Sequence, residues 1–218
     1  MKVAKKLGYL QVNACHALNR PLKGIRTFNT SASSFENELR MSYATIGLLN
    51  TWANFQKAYF ISCMLGAKTK SGIYISSSAT GTITTPQEAI GKAILSSKPN
   101  CRPRTNGEWD SRDEPKWHDS SRFLSLSAVF SFTNLPNVQA AFSLGFTAHK
   151  NLVVFRNYYG HKNRVTREKA QALAVNYLIP QNQHPTKILL SNPNTSPATH
   201  LIEMWACELV QTAEFLCT

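Results

Sequence analysis

Three side chains in the second half of the chain have the types and the spacing that cleavage of a phosphodiester requires. Arg156 and Asn157 are adjacent and His161 follows them, in the sequence RNYYGH. An arginine is a permanent cation, a histidine titrates near neutral pH, and an asparagine is a neutral hydrogen-bonding group. On a helix, Asn157 and His161 share one face, with Arg156 at its edge. These three residues are therefore the candidate catalytic groups.

The chemistry that these residues predict is metal-independent cleavage of RNA. A histidine can take the proton of a 2′-hydroxyl or give one to the departing 5′-oxygen, and an arginine can hold the charge of the pentacoordinate phosphorane. A two-metal nuclease needs clustered carboxylates instead, and no carboxylate side chain occurs between Asp119 and Glu168. We therefore expect no metal. Walker-type, GxGxxG and GxSxG motifs do not occur in the sequence, so no cofactor is expected either.

The setting of the motif favours a helix. An apolar run precedes Arg156, and we expect the motif helix to begin near Ala148. A second arginine–histidine pair, Arg112 and His118 in RDEPKWH, contains Pro115, which interrupts a helix. A purely structural interpretation of the motif stays open, since cations are also favoured at a helix C-terminus.

The net charge indicates a polyanionic partner. The formal charge is +12, and the interval without carboxylates contains six basic residues. Such a surface fits RNA, because basic side chains neutralise phosphates and release counterions. The basic residues that follow the histidine, Lys162, Arg164 and Arg167, are the predicted substrate-binding residues. The alternative is that the charge only keeps the protein in solution.

Helical periodicity, interrupted by proline and glycine, predicts an all-α fold, an up-and-down bundle of five to seven helices. The longest helix is expected from about residue 34 to 65, with Leu48, Trp52, Phe55, Tyr59 and Cys63 on its buried face and Leu39, Tyr43, Ile46 and Phe60 widening that face. Shorter helices are expected at about 87–95, 123–130, 135–144, 166–178 and 200–216.

The remaining segments are predicted to be irregular. Residues 1–33 are interpreted as an N-terminal arm, irregular or with a short helix around Leu7 to Leu18, and residues 34–218 as the helical domain. Residues 68–85 form a linker or a β-hairpin of 72–75 with 82–84. The polar segment 98–118 is a lid, an interface arm or a surface excursion. Residues 185–197 are interpreted as a loop with a short apolar run.

The cysteines and the hydropathy of the sequence indicate the cellular compartment in which we expect the protein. The five cysteines are scattered, odd in number and never in CxxC spacing, which indicates a reducing compartment without a zinc site. No apolar run is long enough to cross a membrane, and the basic N-terminal segment lacks the apolar core of a secretory signal. We therefore expect a cytoplasmic protein without a membrane partner.

The RNYYGH motif at the end of an apolar helix resembles the signature of the HEPN superfamily of α-helical ribonucleases and toxins. The segments YATIGLLNTWANFQKAYFISC and RNYYGHKNRVTREKAQALAVNY are similar to uncharacterised bacterial HEPN-like proteins, and the resemblance covers about residues 34–216. The polar segments 68–85 and 98–118 depart from a minimal HEPN bundle.

This resemblance implies a metal-independent endoribonuclease that works as a homodimer, with the motifs of both subunits facing a shared cleft. Arg156 would bind the scissile phosphate, His161 would act as general acid or base, and Asn157 would orient the histidine or the phosphate. The resemblance further implies a toxin, with a nucleotidyltransferase-like antitoxin as a partner, or a phage-defence effector. A non-catalytic helical module that binds RNA or a partner protein, and a motif that binds a nucleotide rather than a polymer, are the alternatives.

Overall fold

The computed structural model describes residues 2–26, 34–78, 82–193 and 199–218, and its regular structure is helical. Within these residues the prediction of an all-α fold is confirmed, whereas the up-and-down, HEPN-like arrangement stays a prediction. None of the described helices is both long and apolar enough to cross a membrane. The helices are α1 Leu7–Arg26, α2 Ser34–Met64, α3 Pro86–Leu95, α4 Ser120–Val129, α5 Leu135–Ser143, α6 Ala148–His161, α7 Arg164–Ala172, α8 Pro185–Leu190 and α9 Leu201–Cys217, with a 3₁₀ helix at Leu173–Tyr177.

The N-terminal segment forms a longer helix than the sequence indicated. We expected a helix only to about Leu18, but α1 continues to Arg26, and residues 27–33 lie outside the described part. One apolar stripe explains the extension, because residues three or four positions apart are buried along the whole helix. Pro21 does not end α1, and its ring lies against Gly47, where an added Cβ would be 3.1 Å away. The buried side chains are Leu7, Leu10, Ala14, Leu18, Leu22 and Ile25.

Helix α2 confirms the predicted long helix but not the full width of its buried face. Leu48, Trp52 and Phe55 are buried as expected, whereas Leu39 and Tyr43 are 61% and 70% exposed. At 3.6 residues per turn, Leu39 and Tyr43 lie roughly opposite Leu48 on the helix. The apolar residues of the N-terminal half therefore belong to two different faces.

The segment after α2 contains no strand in its described residues. We expected a linker or a β-hairpin of residues 72–75 with residues 82–84. In the structure, residues 73–75 instead pair with residues 67–69. The amide of Thr69 donates to the carbonyl of Ile73, and the amide of Ile75 donates to that of Ala67, both at 2.8 Å. An isolated antiparallel bridge joins Lys68 to Tyr74. Residues 79–81 lie outside the described part.

The polar segment 98–118 is an irregular loop that is held in place by several side-chain contacts. This agrees with the expected surface excursion. Lys98 pairs with Asp113 at 2.8 Å. The indole of Trp109 lies so close to Gly91 of α3 that an added Cβ would be 2.5 Å from its nitrogen. Trp117 is buried and donates to Glu114 at 2.8 Å. The arginine–histidine pair of this segment therefore lies outside any helix, as predicted.

The described chain divides into two compact units, and the boundary after residue 33 stays a prediction. Unit 1 consists of Met1–Ala14, Trp52–Gly145 and Thr212–Thr218, and unit 2 of Cys15–Thr51 and Phe146–Gln211. The core of unit 1 is aromatic, and in it the Tyr59 hydroxyl donates to the carbonyl of Leu216 at 2.9 Å. All the candidate site residues belong to unit 2.

Candidate functional site

The motif helix begins at Ala148, as predicted, and its first turn is held by a side chain from another helix. Gly145, with φ of 76°, precedes it. Thr147 makes no side-chain cap. Instead, the Glu208 carboxylate of α9 accepts hydrogen bonds from the backbone amides of Thr147 and Ala148, at 3.0 and 2.9 Å. Burial raises the pKa of Glu208. A carboxylate at this end is also favoured by the helix dipole.

The buried face of α6 sets the direction in which the motif points. Leu152 and Phe155 are fully buried, and the Phe155 ring lies edge-on to Trp205, with centroids 5.5 Å apart. The Tyr177 hydroxyl accepts hydrogen bonds from the Trp205 indole at 2.9 Å and from the Asn151 amide at 2.7 Å. This packing fixes the rotation of α6 about its axis, so that its opposite side faces solvent.

Arg156 and His161 lie on that solvent-facing side, at the carboxyl-terminal end of α6. Both side chains are exposed, and Asn157 is partly buried. The Arg156 guanidinium donates from Nη1 to Oδ1 of Asn157 at 3.2 Å. Asn157 therefore orients the arginine here, while its expected role toward the histidine or a phosphate stays a prediction. A Cβ added at Gly160 would meet no atom within 4 Å, so the surface beside His161 is open.

The three predicted substrate-binding residues follow directly, and all are exposed. Lys162 ends α6 in the left-handed conformation, with φ of 45°, and its Nζ lies 3.0 Å from Oε1 of Glu38. Arg164 pairs with Glu168 at 2.8 Å. Exposed ion pairs of this kind contribute about 0–1 kcal/mol. Phosphates can therefore replace these carboxylates at low cost.

The break after His161 was predicted, but the next helix starts earlier than expected. We expected Thr166 to cap it. Asn163 does so instead, and its Oδ1 accepts from the amide of Thr166 at 2.9 Å. An asparagine accepts well at this position. The last turn, Leu173–Tyr177, is a 3₁₀ helix.

A second group of residues, which the sequence did not indicate, lies behind the motif. Tyr158 and Tyr159, the two aromatic residues inside RNYYGH, are buried. The Tyr158 hydroxyl is 2.9 Å from Nε2 of His184, and the Tyr159 hydroxyl is 3.1 Å from Oγ1 of Thr186. The inner positions of the motif thus bind the segment that starts α8.

Helix α8 corrects the prediction of a loop over residues 185–197, since Pro185–Leu190 is helical; residues 194–198 lie outside the described part. His184 is its N-cap, and its Nδ1 accepts from the amide of Thr186 at 3.3 Å. Nδ1 is therefore unprotonated, and in the neutral ring Nε2 donates to Tyr158. The proline directly after the cap is a helix-start signal that the sequence contained.

The electrostatics of this group favour its neutral form. Burial lowers the pKa of His184; Glu38 opposes this shift, and Arg167, Lys187 and Lys162 add to it. Burial also raises the pKa of Tyr158 and of Tyr159. An uncharged histidine next to an uncharged tyrosine is the form that a partly buried site tolerates best.

We expect His184 to titrate below the value of about 6.5 that an unperturbed histidine has. The unfolded chain then takes up a proton before the folded chain does. As the pH falls below about 6.5, the free energy of unfolding therefore decreases until the folded-state pKa has been passed. Titration of the ring proton signals by NMR, and urea denaturation at several pH values, measure the two effects.

His184→Asn is the matched control, because asparagine also caps helices but does not titrate. This variant is expected to lose part of the decrease in stability below neutral pH. An equal pH dependence in both proteins would contradict the assignment.

Among the described residues, no group of three or more histidine, cysteine, aspartate or glutamate side chains is arranged to hold a metal ion. Comparisons of the chain with models of protein families, with curated proteins and with solved structures found no match.

Proposed function

We propose that the chain is a metal-independent endoribonuclease of the HEPN type, acting as a toxin or a phage-defence effector. The observation that carries the proposal is the exposure of Arg156 and His161 at one end of α6, whose other face is buried. A pair of groups on a well-packed helix keeps its geometry when a polymer binds from solvent. The hydrogen bond from Arg156 to Asn157 further restricts the cation.

In the proposed reaction, the 2′-oxygen of RNA attacks the neighbouring phosphorus and the bond to the 5′-oxygen breaks. The products are a 2′,3′-cyclic phosphate and a 5′-hydroxyl. His161 takes the proton from the 2′-hydroxyl or gives one to the departing 5′-oxygen, and Arg156 stabilises the charge on the phosphorane. The reaction needs both a base and an acid, so a homodimer that brings two copies of His161 together supplies the pair.

The basic residues beyond the helix hold the RNA backbone in this proposal. Three exposed basic residues follow His161 in the chain: Lys162, Arg164 and Arg167. Their ion-pair partners Glu38 and Glu168 are also partly exposed, which makes exchange for phosphate inexpensive. A nucleotidyltransferase-like antitoxin is the proposed protein partner for the toxin role.

The test is incubation of the purified chain with single-stranded and structured RNA in excess EDTA. We expect cleavage, with products that carry 2′,3′-cyclic phosphate and 5′-hydroxyl ends identified by mass spectrometry. Sedimentation at the same protein concentration measures the dimer. Products with 5′-phosphate ends, or activity that disappears with EDTA and returns with a divalent cation, would contradict the proposal.

A non-catalytic module that binds RNA or a partner protein is the second candidate. The same exposed basic residues and the net charge of +12 favour it. This candidate predicts RNA binding that weakens steeply with salt, no cleavage, and no effect of His161 substitution on binding.

A further inference from the structure

A cavity of about 260 Å³ lies in unit 2 beside the N-terminal turns of α2 and α8. It is lined by Ser34, Asn37 and Glu38 of α2 and by His184, Thr186, Lys187 and Leu190 of the α8 segment. Pockets for drug-sized ligands hold about 300–1,000 Å³. The cavity is therefore suited to a smaller group, of the size of a single planar ring system.

Two contacts connect this cavity to the end of the motif helix. Glu38, which lines the cavity, pairs with Lys162 at 3.0 Å, and Lys162 follows His161 in the chain. His184, which also lines it, is hydrogen-bonded to Tyr158 at 2.9 Å, within RNYYGH. Two residues of the lining are thus bonded to side chains that lie within three positions of the candidate catalytic histidine.

Glu38 and Lys187 carry the charged hydrogen-bonding groups of this lining. Both nitrogens of His184 already have protein partners, Nε2 with Tyr158 and Nδ1 with the amide of Thr186. Glu38 offers a carboxylate that accepts more hydrogen bonds than the one from Lys162, and Lys187 offers an ammonium donor. Leu190 adds an apolar surface to the lining, and the imidazole of His184 adds an aromatic one. The cavity therefore suits a planar group with two adjacent donors and a nearby acceptor.

Among the nucleobases, guanine alone has this arrangement. Its N1–H and N2–H₂ groups lie side by side and can both bind one carboxylate, and its O6 and N7 accept from an ammonium group. Adenine and cytosine place an acceptor nitrogen beside their amino group, which a carboxylate repels, and uracil has a single N–H between two carbonyls. Proteins read unstacked RNA bases on these edges.

We propose that this cavity binds a guanine base of the RNA next to the scissile phosphate, with Glu38 accepting from N1–H and N2–H₂ and Lys187 donating to O6 or N7. The proposal rests on the proposed ribonuclease function for the source of the base. Binding of guanine in this cavity would make the enzyme selective for cleavage beside guanosine. Glu38 then binds the base, while Lys162 exchanges this carboxylate for a phosphate of the RNA backbone.

The experiment measures binding without cleavage, by calorimetry or NMR titration of the full chain with GMP, IMP, AMP, CMP and UMP. IMP lacks only the amino group of GMP, so the loss of one hydrogen bond to a carboxylate is expected to weaken binding about 10- to 100-fold. AMP, CMP and UMP are expected to bind no better than IMP. Equal affinities for GMP and IMP would overturn the proposal.

Glu38→Gln is expected to abolish the preference for GMP over IMP, because the amide presents one donor where two acceptors are needed. Lys162→Gln is the matched control, since it breaks the same ion pair and leaves the carboxylate in place. This control is expected to keep the GMP-to-IMP ratio. Lys187→Met provides an independent test and is expected to weaken GMP binding. A ratio lost in Lys162→Gln and kept in Glu38→Gln would contradict the assignment.

A second arm identifies the source of the guanine. With the His161→Ala chain, the RNA tetramer UUGU is expected to bind more tightly than both UUUU and GMP, because the backbone residues add phosphate contacts. If GMP binds as tightly as UUGU, the ligand of the cavity is a free nucleotide and not RNA. Cleavage without base preference, together with no GMP binding, would sink the guanine site and leave the ribonuclease proposal standing. Glu38-dependent GMP binding without any RNA cleavage would support the guanine site and contradict the ribonuclease proposal.

Discussion

Replacement of His161 by alanine is expected to slow RNA cleavage by about 10²- to 10⁴-fold, the usual contribution of a positioned acid or base. The side chain is exposed at the end of α6, so its removal leaves no buried cavity and the fold should persist. Single-turnover cleavage of a labelled RNA in EDTA measures the effect. Arg156→Ala, assayed alongside, is expected to lose about 10²- to 10³-fold through the missing charge stabilisation.

His16→Ala and Arg20→Ala are the matched controls for these two variants. Both residues are exposed on α1, in the same unit as the motif, and have the same chemical types. Their substitution is expected to change the rate less than twofold beyond the general effect of charge on RNA binding. Circular dichroism and urea denaturation verify that each variant is folded. Full activity in His161→Ala would exclude this histidine from catalysis.

Phe155→Ala is expected to lower the free energy of unfolding by about 3–5 kcal/mol, the range for a truncated core phenylalanine. Phe155 is fully buried and lies edge-on to Trp205, with the ring centroids 5.5 Å apart. Its removal leaves a cavity under the turn that carries Arg156. Urea denaturation followed by tryptophan fluorescence measures the change.

Phe35→Ala is the control for that variant, because Phe35 has the same side chain but is 71% exposed. Surface substitutions of this kind usually stay within about 0.5 kcal/mol. A loss in Phe155→Ala no larger than in Phe35→Ala would mean that this part of the core contributes little. The mechanism would then need another explanation for how α6 is held in place.

Long, strongly periodic segments were the ones that sequence reasoning predicted well. The apolar face around Trp52 and Phe55 predicted α2, and the helix expected at about 87–95 is α3, Pro86–Leu95. Periodicity failed where two faces share one helix, as Leu39 and Tyr43 show. It also failed at Pro21, where burial of the neighbouring leucines outweighs the cost of a proline inside α1.

The second half of the candidate site could not be predicted in this way. Helix α8 has six residues, fewer than two turns, which is too short for a periodic signal. Its contact with the motif joins Tyr158 to His184, 26 positions apart. Glu38 and Lys162 are farther apart still in the chain, and their ion pair leaves no local trace in the sequence.

The sequence by itself determined the long periodic helices and the spacing of Arg156, Asn157 and His161, because backbone hydrogen bonds and apolar periodicity act over a few residues. The tertiary structure alone decided which residues of RNYYGH face inward. Packing of Phe155 on Trp205 turns Tyr158 and Tyr159 toward His184 and Thr186, and leaves Arg156 and His161 in solvent. Such contacts depend on shape and on partners distant in the chain, so they arise only when the helices pack.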